Sequence, residues 1–263
     1  MLRIACIAAL LVLLAGCTTS AGSTRTGGSA QAQIRPPRLG ACRALTPADV
    51  ARSSNDTATV PCSARHTAQT FAIGQFPDAV ARRGTGSPAL GGYVFRRCRK
   101  GFERFVGADD SLALRSTLSW AWFRPPDDQW RRGAHTWRCD VVGGTEDSSS
   151  LLTLPRKAKG LLLGHPDDRL LACANGPTVS GSARIPCSRA HTWRAVTTIV
   201  LGKGNDAYPG DRLSEVRSRD YCSDSVGAWL NYPVDYAYGY TWFHEAEWRA
   251  GNRRAICWAR TDQ

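Results

Sequence analysis

Apolar and polar positions along this chain fall into two sets of segments that run in the same order. Thr70-Phe71-Ala72-Ile73 and Trp193 to Val200 are rich in β-branched and aromatic residues and read as strands. Leu90, Val94, Cys98, Phe102 and Phe105 then recur at steps of three and four, the stripe of one helix face. Leu213, Val216, Cys222, Val226 and Trp229 form its counterpart, with Asp211 placed to cap the start. Alternation with period two follows at Leu118, Trp120 and Trp122, and again at Tyr238, Tyr240 and Trp242, which predicts a half-buried strand in each set. A polar turn separates each of these from a last strand, His135 to Val142 or Arg254 to Arg260. The order strand, helix, strand, strand thus occurs twice. It predicts an α+β fold of two tandem modules, each a small antiparallel sheet covered by one helix.

Short motifs set the register of this repeat. Pro61-Cys62-Ser63-Ala64-Arg65-His66-Thr67 returns as Pro186-Cys187-Ser188-Arg189-Ala190-His191-Thr192. Trp130-x2-Gly133-x5-Cys139 returns as Trp248-x2-Gly251-x5-Cys257. Cys42, Cys62, Cys98 and Cys139 therefore answer Cys173, Cys187, Cys222 and Cys257.

The N-terminus has a different pattern. Arg3 precedes an unbroken apolar run from Ile4 to Leu14, a length that suits a signal segment and falls short of the roughly 20 residues of a spanning helix. The run ends in Leu14-Ala15-Gly16-Cys17, which is similar to a bacterial lipoprotein signal and predicts cleavage after residue 16 with a lipid on Cys17. Residues 17–38 are rich in Gly, Ser, Thr, Ala and Gln and lack any apolar face, so they read as a tether with a reach of about 25 Å. Residues 39–143 then hold the first module, 144–159 a linker and 160–263 the second module. The expected location is the extracytoplasmic face of a membrane, held by lipid.

Cys6 leaves with the signal, and eight of the ten cysteines remain in the modules, four in each. An even number in an exported chain reads as a disulfide framework, and four cysteines allow three pairings. The pairing expected is first with second and third with fourth: Cys42–Cys62, Cys98–Cys139, Cys173–Cys187 and Cys222–Cys257. Loops of the first kind would contribute roughly 3 kcal/mol each. No C-x2-C pair is present to propose zinc, and no metal or other cofactor is expected.

Candidate chemistry is sparse. His66 and His191 each follow a cysteine by four residues, which outwardly resembles a Cys–His nucleophile pair, but a cysteine held in a disulfide cannot attack. Their expected role is to pin the turn through a backbone hydrogen bond, with metal binding as the alternative. His135 and His244 read as surface residues. The sequence has no Gly-x-Ser-x-Gly and no His-Glu-x-x-His, and its paired aspartates sit in turn-like contexts that usually make solvated caps. The reading is therefore not an enzyme. Trp122, Trp130, Trp242 and Trp248 recur between modules and belong to the core; Trp120, Trp137, Trp193, Trp229 and Trp258 have no tryptophan counterpart, and a binding face among them is the second reading.

The formal net charge is +12, and removal of Arg3 takes one from it. A basic surface draws anionic partners. Anionic lipid, an acidic wall polymer or another envelope protein are the partners expected outside the cytoplasm, and nucleic acid is not; an arginine-loading, GC-rich genome explains the charge equally well.

Taken together, Leu39-Gly40-Ala41-Cys42, Val60 to His66, Cys98 and Trp130 to Cys139, with Cys173, Ile185 to His191, Cys222 and Trp248 to Cys257, resemble the septum-formation domain of actinobacterial envelope proteins. The resemblance spans nearly all of the folded chain. It departs at Ala41, where an acidic residue is usual, and at Leu171-Ala172, which replace a glycine opening. It implies a link to division septa and carries no catalytic residue. The expectation is a lipid-anchored envelope protein whose modules act by binding; the competing one is a wall-acting hydrolase using His66 or His191 with a neighbouring carboxylate.

Overall fold

The computed structural model describes residues 36–261. Cys17 and the residues read as a signal segment and, up to residue 35, as a tether lie outside the described residues. The first half runs β1 (Cys42–Arg43), α1 (Pro47–Val50), β2 (Ala68–Gln75), α2 (Asp78–Ala81), α3 (Pro88–Val106), α4 (Asp110–Leu114), β3 (Ser119–Phe123), α5 (Asp127–Arg131) and β4 (Thr136–Val142). The second runs β5 (Ala172–Ala174), β6 (Arg184–Pro186), β7 (Trp193–Val200), α6 (Asp211–Trp229), β8 (Tyr238–Trp242), α7 (Glu245–Ala250) and β9 (Arg254–Arg260). This is α+β with two antiparallel sheets, ordered β1-β2-β4-β3 and β6-β5-β7-β9-β8. The eight-residue strands β2 and β7 are irregular at the same place, between Thr70 and Ala72 and between Ala195 and Thr197.

Helix α3 starts where the sequence supplies a cap: Ser87 accepts from the Ala89 amide and Pro88 occupies the first turn, where its missing N–H costs nothing. Leu90, Val94, Cys98, Phe102 and Val106 form its buried stripe. Helix α6 corrects the sequence reading. Its buried stripe is Ser214, Ser218, Cys222 and Val226, while Leu213 and Trp229, expected inside, are 41% and 50% exposed. Two small serines set the inner face, and the Ser218 hydroxyl donates to the Ser214 carbonyl one turn back, so it needs no outside partner. Asp211 is not the cap; Gly210 holds that position, without a side-chain hydrogen bond.

Each sheet is covered on both faces, not on one as the patterning indicated. Along β4, Trp137, Cys139 and Val141 face α3, while Val142 on the other side packs with Ala68, Ala121 and Phe123 beneath Leu45, Val50 and Leu151. Residues 144–159, read as a linker, supply buried Leu151, Leu154 and Ala158, and the Ala158 amide donates to Gln69 Oε1 at 3.0 Å. In the second sheet Cys257 and Ala259 face α6, and Ile256 and Trp258 face a cluster that includes Val179 and Trp193. Leu114 of α4 packs against that cluster, so the first half helps to cover the second.

The two sheets belong to one compact unit. Arg254 of β9 pairs with Asp110 of α4 at 2.8 Å, and Ser111 and Thr198 share a hydrogen bond of 2.9 Å. The backbones join directly where the Thr117 amide donates to Leu170 and the Ala172 amide donates to Arg115, each at 2.8 Å.

Candidate functional site

Four disulfides hold the two halves: Cys42–Cys62 and Cys173–Cys187, with Cα separations of 5.3 and 4.9 Å, and Cys98–Cys139 and Cys222–Cys257, at 5.6 and 5.1 Å. The first pair ties the opening strand of each half to the turn that precedes the histidine. The second ties the long helix to an interior strand, β4 or β9.

His66 and His191 are buried, 1% and 4% exposed. Nδ1 of His66 lies 2.8 Å from the Ala64 carbonyl, and Nδ1 of His191 lies 2.7 Å from that of Arg189. A carbonyl only accepts, so Nδ1 carries the proton in both, and each ring fastens the turn two residues behind it. Nε2 of each is buried without a hydrogen-bond partner among the described residues. General-base chemistry needs the ring within reach of the group it deprotonates and, in the usual arrangement, oriented by a carboxylate. Among the described residues neither ring has such a hydrogen bond. Ligand atoms of Cys173, Cys187 and His191 lie within 4.8 Å of one another. Metal ligation by cysteine requires the thiolate, however, and these two sulfurs are bonded to each other.

The other repeated motif is a short helix closed by glycine. Trp130 of α5 and Trp248 of α7 are buried, and Gly133 and Gly251, at φ 91° and 110°, each donate back to that tryptophan's carbonyl at 2.9 Å. Only glycine takes this left-handed turn without strain, which explains the Trp-x2-Gly spacing. Trp130 meets the rings of Phe76 and His135, and the Trp248 indole donates to the Asp206 carbonyl. His244 is engaged: its Nδ1 lies 2.6 Å from Asp211 Oδ1, which also accepts from the Tyr208 hydroxyl. Those two contacts, Tyr208 first, hold the Asp211 carboxyl below its ordinary pKa. Of the unmatched tryptophans, Trp137, Trp193 and Trp258 are buried, Trp120 is half-buried and Trp229 is exposed.

Two of the concave regions among the described residues are lined by α3. A cavity of about 720 Å3 lies between the halves, with Phe95, Trp120, Glu103, Arg184, Phe243 and Arg254 on its walls. Its charges are mixed. Desolvation there raises the Glu103 pKa and lowers that of Arg184, whose guanidinium donates to the Leu114 carbonyl. The second region is a groove of about 740 Å3 beside α3, where Arg96, Arg97, Lys100, Arg104 and Lys159 surround a floor of Phe71, Phe105 and Trp137. Among the described residues no carboxylate lines it. Sequence reasoning missed this groove, although Arg96-Arg97-x-Arg99-Lys100-x3-Arg104 is a visible signal once the segment is placed on a helix.

The septum-formation family model matches residues 40–257, a span that starts just before Cys42 and ends at Cys257, across both sheets. No curated protein and no solved structure matches the chain.

Proposed function

The chain belongs to the septum-formation family, and on that premise we propose that it is a lipid-anchored protein of the cell envelope that serves septum or wall assembly by binding, not by catalysis. The family match is the observation that carries this reading. Four disulfides support an oxidising compartment outside the cytoplasm. Cys17, beyond the described residues, would carry the lipid, and the segment after it would set the folded part off the membrane. No helix among the described residues is long and apolar enough to cross a bilayer. We also infer that the halves are copies of one module, since cysteine order, strand irregularity, histidine turn and Trp-x2-Gly helix recur together. A binding role agrees with histidines that spend Nδ1 on the backbone.

Imaging of nascent wall in cells depleted of the protein tests the assignment. Misplaced or missing septa, restored by the wild-type chain and not by Cys17→Ala, are expected; normal septa on depletion would refute it. His66→Ala and His191→Ala divide binding from chemistry. On a turn-pinning role each variant loses about 1–3 kcal/mol of stability, read from urea unfolding, because a buried hydrogen bond and its packing go. Unchanged stability with lost rescue would instead assign the histidines to catalysis.

A further inference from the structure

We infer that the groove beside α3 is a binding site for a linear polyanion, a chain of phosphodiester or carboxylate groups lying along the helix. This deepens the proposed binding role and rests on it for its setting in the envelope. Arg96, Lys100 and Arg104 stand at i, i+4 and i+8 on α3, one above another at about 6 Å intervals along the axis, so they form a row about 12 Å long. All three are exposed, and none has a hydrogen bond or close ion pair among the described residues. Lys159 is likewise exposed and unpaired, and it is brought to the row from a distant segment because the Gly160 amide donates to the Phe105 carbonyl at 2.8 Å. Arg97 extends the edge and is itself fixed, its guanidinium 3.7 Å from the centre of the Tyr93 ring and donating to the Tyr93 carbonyl.

Five cations of like sign repel one another, so the free groove carries an electrostatic cost that an anion removes. Solvated surface faces normally intersperse both signs, whereas Glu103, which meets Arg99 and also feels Lys100 and Arg104, is the one carboxylate of α3 against five cations. The floor is aromatic and firmly built. Phe71 and Phe105 stack at 5.6 Å, and the Trp137 indole lies against Gly74 with its N–H given to the Gln75 carbonyl. A row of cations beside aromatic rings, on a face open to solvent, accepts a strand lying along the helix.

The second half supplies an internal control. The cysteine register places Asp220, Asp224 and Ala228 of α6 where α3 has Arg96, Lys100 and Arg104. Helix α3 carries five cations against one carboxylate, and α6 three against four. The frame does not require the cations; one copy of these positions has three of them and the other has two carboxylates and an alanine.

Inorganic polyphosphate is the probe, titrated against the full mature chain at several salt concentrations. Arg96→Gln/Lys100→Gln/Arg104→Gln is expected to weaken binding at least about tenfold and to flatten the dependence of log K on log salt by about three, near one per cation. Lys159→Gln, in a loop, is expected to flatten it by about one without touching the helix. Arg131→Gln/Arg212→Gln/Arg219→Gln removes the same charge elsewhere and is expected to change little. Equal losses in the two triple variants would overturn the site, since net charge alone would then explain binding. Vesicles containing 30% anionic lipid form the second arm (about one charged headgroup in three); wild-type binding to vesicles without binding to polyphosphate would overturn the polymer and assign the face to a membrane. These outcomes are read on purified protein, so they stand apart from the septum-imaging result.

Discussion

At the centre of the first sheet Asp140 lies in the ladder between Thr70 and Ala121; at the centre of the second, Trp258 lies between Ala195 and Gly239. Both side chains are buried on the face away from the long helix, and they fill it with opposite chemistry. Asp140, 0% exposed, accepts from the Thr70 hydroxyl at 2.6 Å and from Arg138 Nε at 2.9 Å, with Arg43 at 3.8 Å. The two arginines continue outward: Arg138 donates to the carbonyl and side chain of Asn55, and Arg43 to the Thr57 carbonyl. In the second half the indole of Trp258 needs one partner, Thr241, and the cluster around it is apolar throughout, including Ala195, Val179, Trp193 and Ile256. The loop closed by the first disulfide explains the choice. At 20 residues it is long enough to bring Asn55 and Thr57 over the sheet as carbonyl acceptors; the 14-residue loop of the second half brings Val179. One frame thus accepts a polar network or an apolar ring, provided the loop above it supplies what the side chain lacks. The same independence lets α3 collect cations while α6 does not.

The largest effects should come from breaking either filling. Asp140→Ala leaves two buried arginines without their carboxylate and should cost about 3–5 kcal/mol in urea unfolding. Trp258→Ala should cost about as much, through a cavity. The two differ in how they are rescued. Arg43→Met/Arg138→Met/Asp140→Leu should return the first sheet to near wild-type stability, because replacing a whole buried ionic group is far cheaper than orphaning part of it. A triple variant as unstable as Asp140→Ala would contradict that account of the network.

A middle-sized effect is expected where the sheets trade volume across one rung. Gly74 faces Trp137 in the first, and Ile199 faces Ala255 in the second. A Cβ on Gly74 would lie 2.4 Å from the Trp137 ring. Gly74→Ala should therefore destabilise by about 1–3 kcal/mol, and a double-mutant cycle with Trp137→Ala should show the two positions coupled. Additive losses would mean that the ring moves aside freely.

The smallest effect concerns the starts of the two long helices. Helix α3 begins on Ser87, which does not titrate, whereas α6 begins beside Asp211, held by Tyr208 and His244. A carboxyl whose folded pKa is depressed adds stability above its ordinary value, and that stability is lost as pH falls through the folded one. The pair is exposed, so the effect should be slight. Thermal melts from about pH 5 down to about pH 3, across the ordinary carboxylate range, should show a small fall in the wild type that Asp211→Asn lacks. Identical profiles would remove Asp211 from the balance.

Much of the frame could be read from the chain because its signals are local and repeat: alternation in Trp120 and Trp122, a four-residue step from Leu90 to Phe102, two copies of Pro-Cys-Ser-x2-His-Thr. Features set by distant partners were not legible. Arg138 and Asp140 look like solvent-facing positions of β4, and only the loop folded over them makes that face interior. The inner stripe of α6 was hidden because Ser214 and Ser218 are polar as residues yet small enough to bury. The groove needed Lys159 beside α3, a meeting of segments that no periodicity announces.

The claim that septum or wall assembly relies on anion binding by the first half is tested most directly in depleted cells. Septum position would be scored after expression of the wild-type chain, the Arg96→Gln/Lys100→Gln/Arg104→Gln variant, or the Arg131→Gln/Arg212→Gln/Arg219→Gln control, at matched levels. The account predicts rescue by the wild type and the control and failure of the groove variant. Full rescue by the groove variant would contradict it.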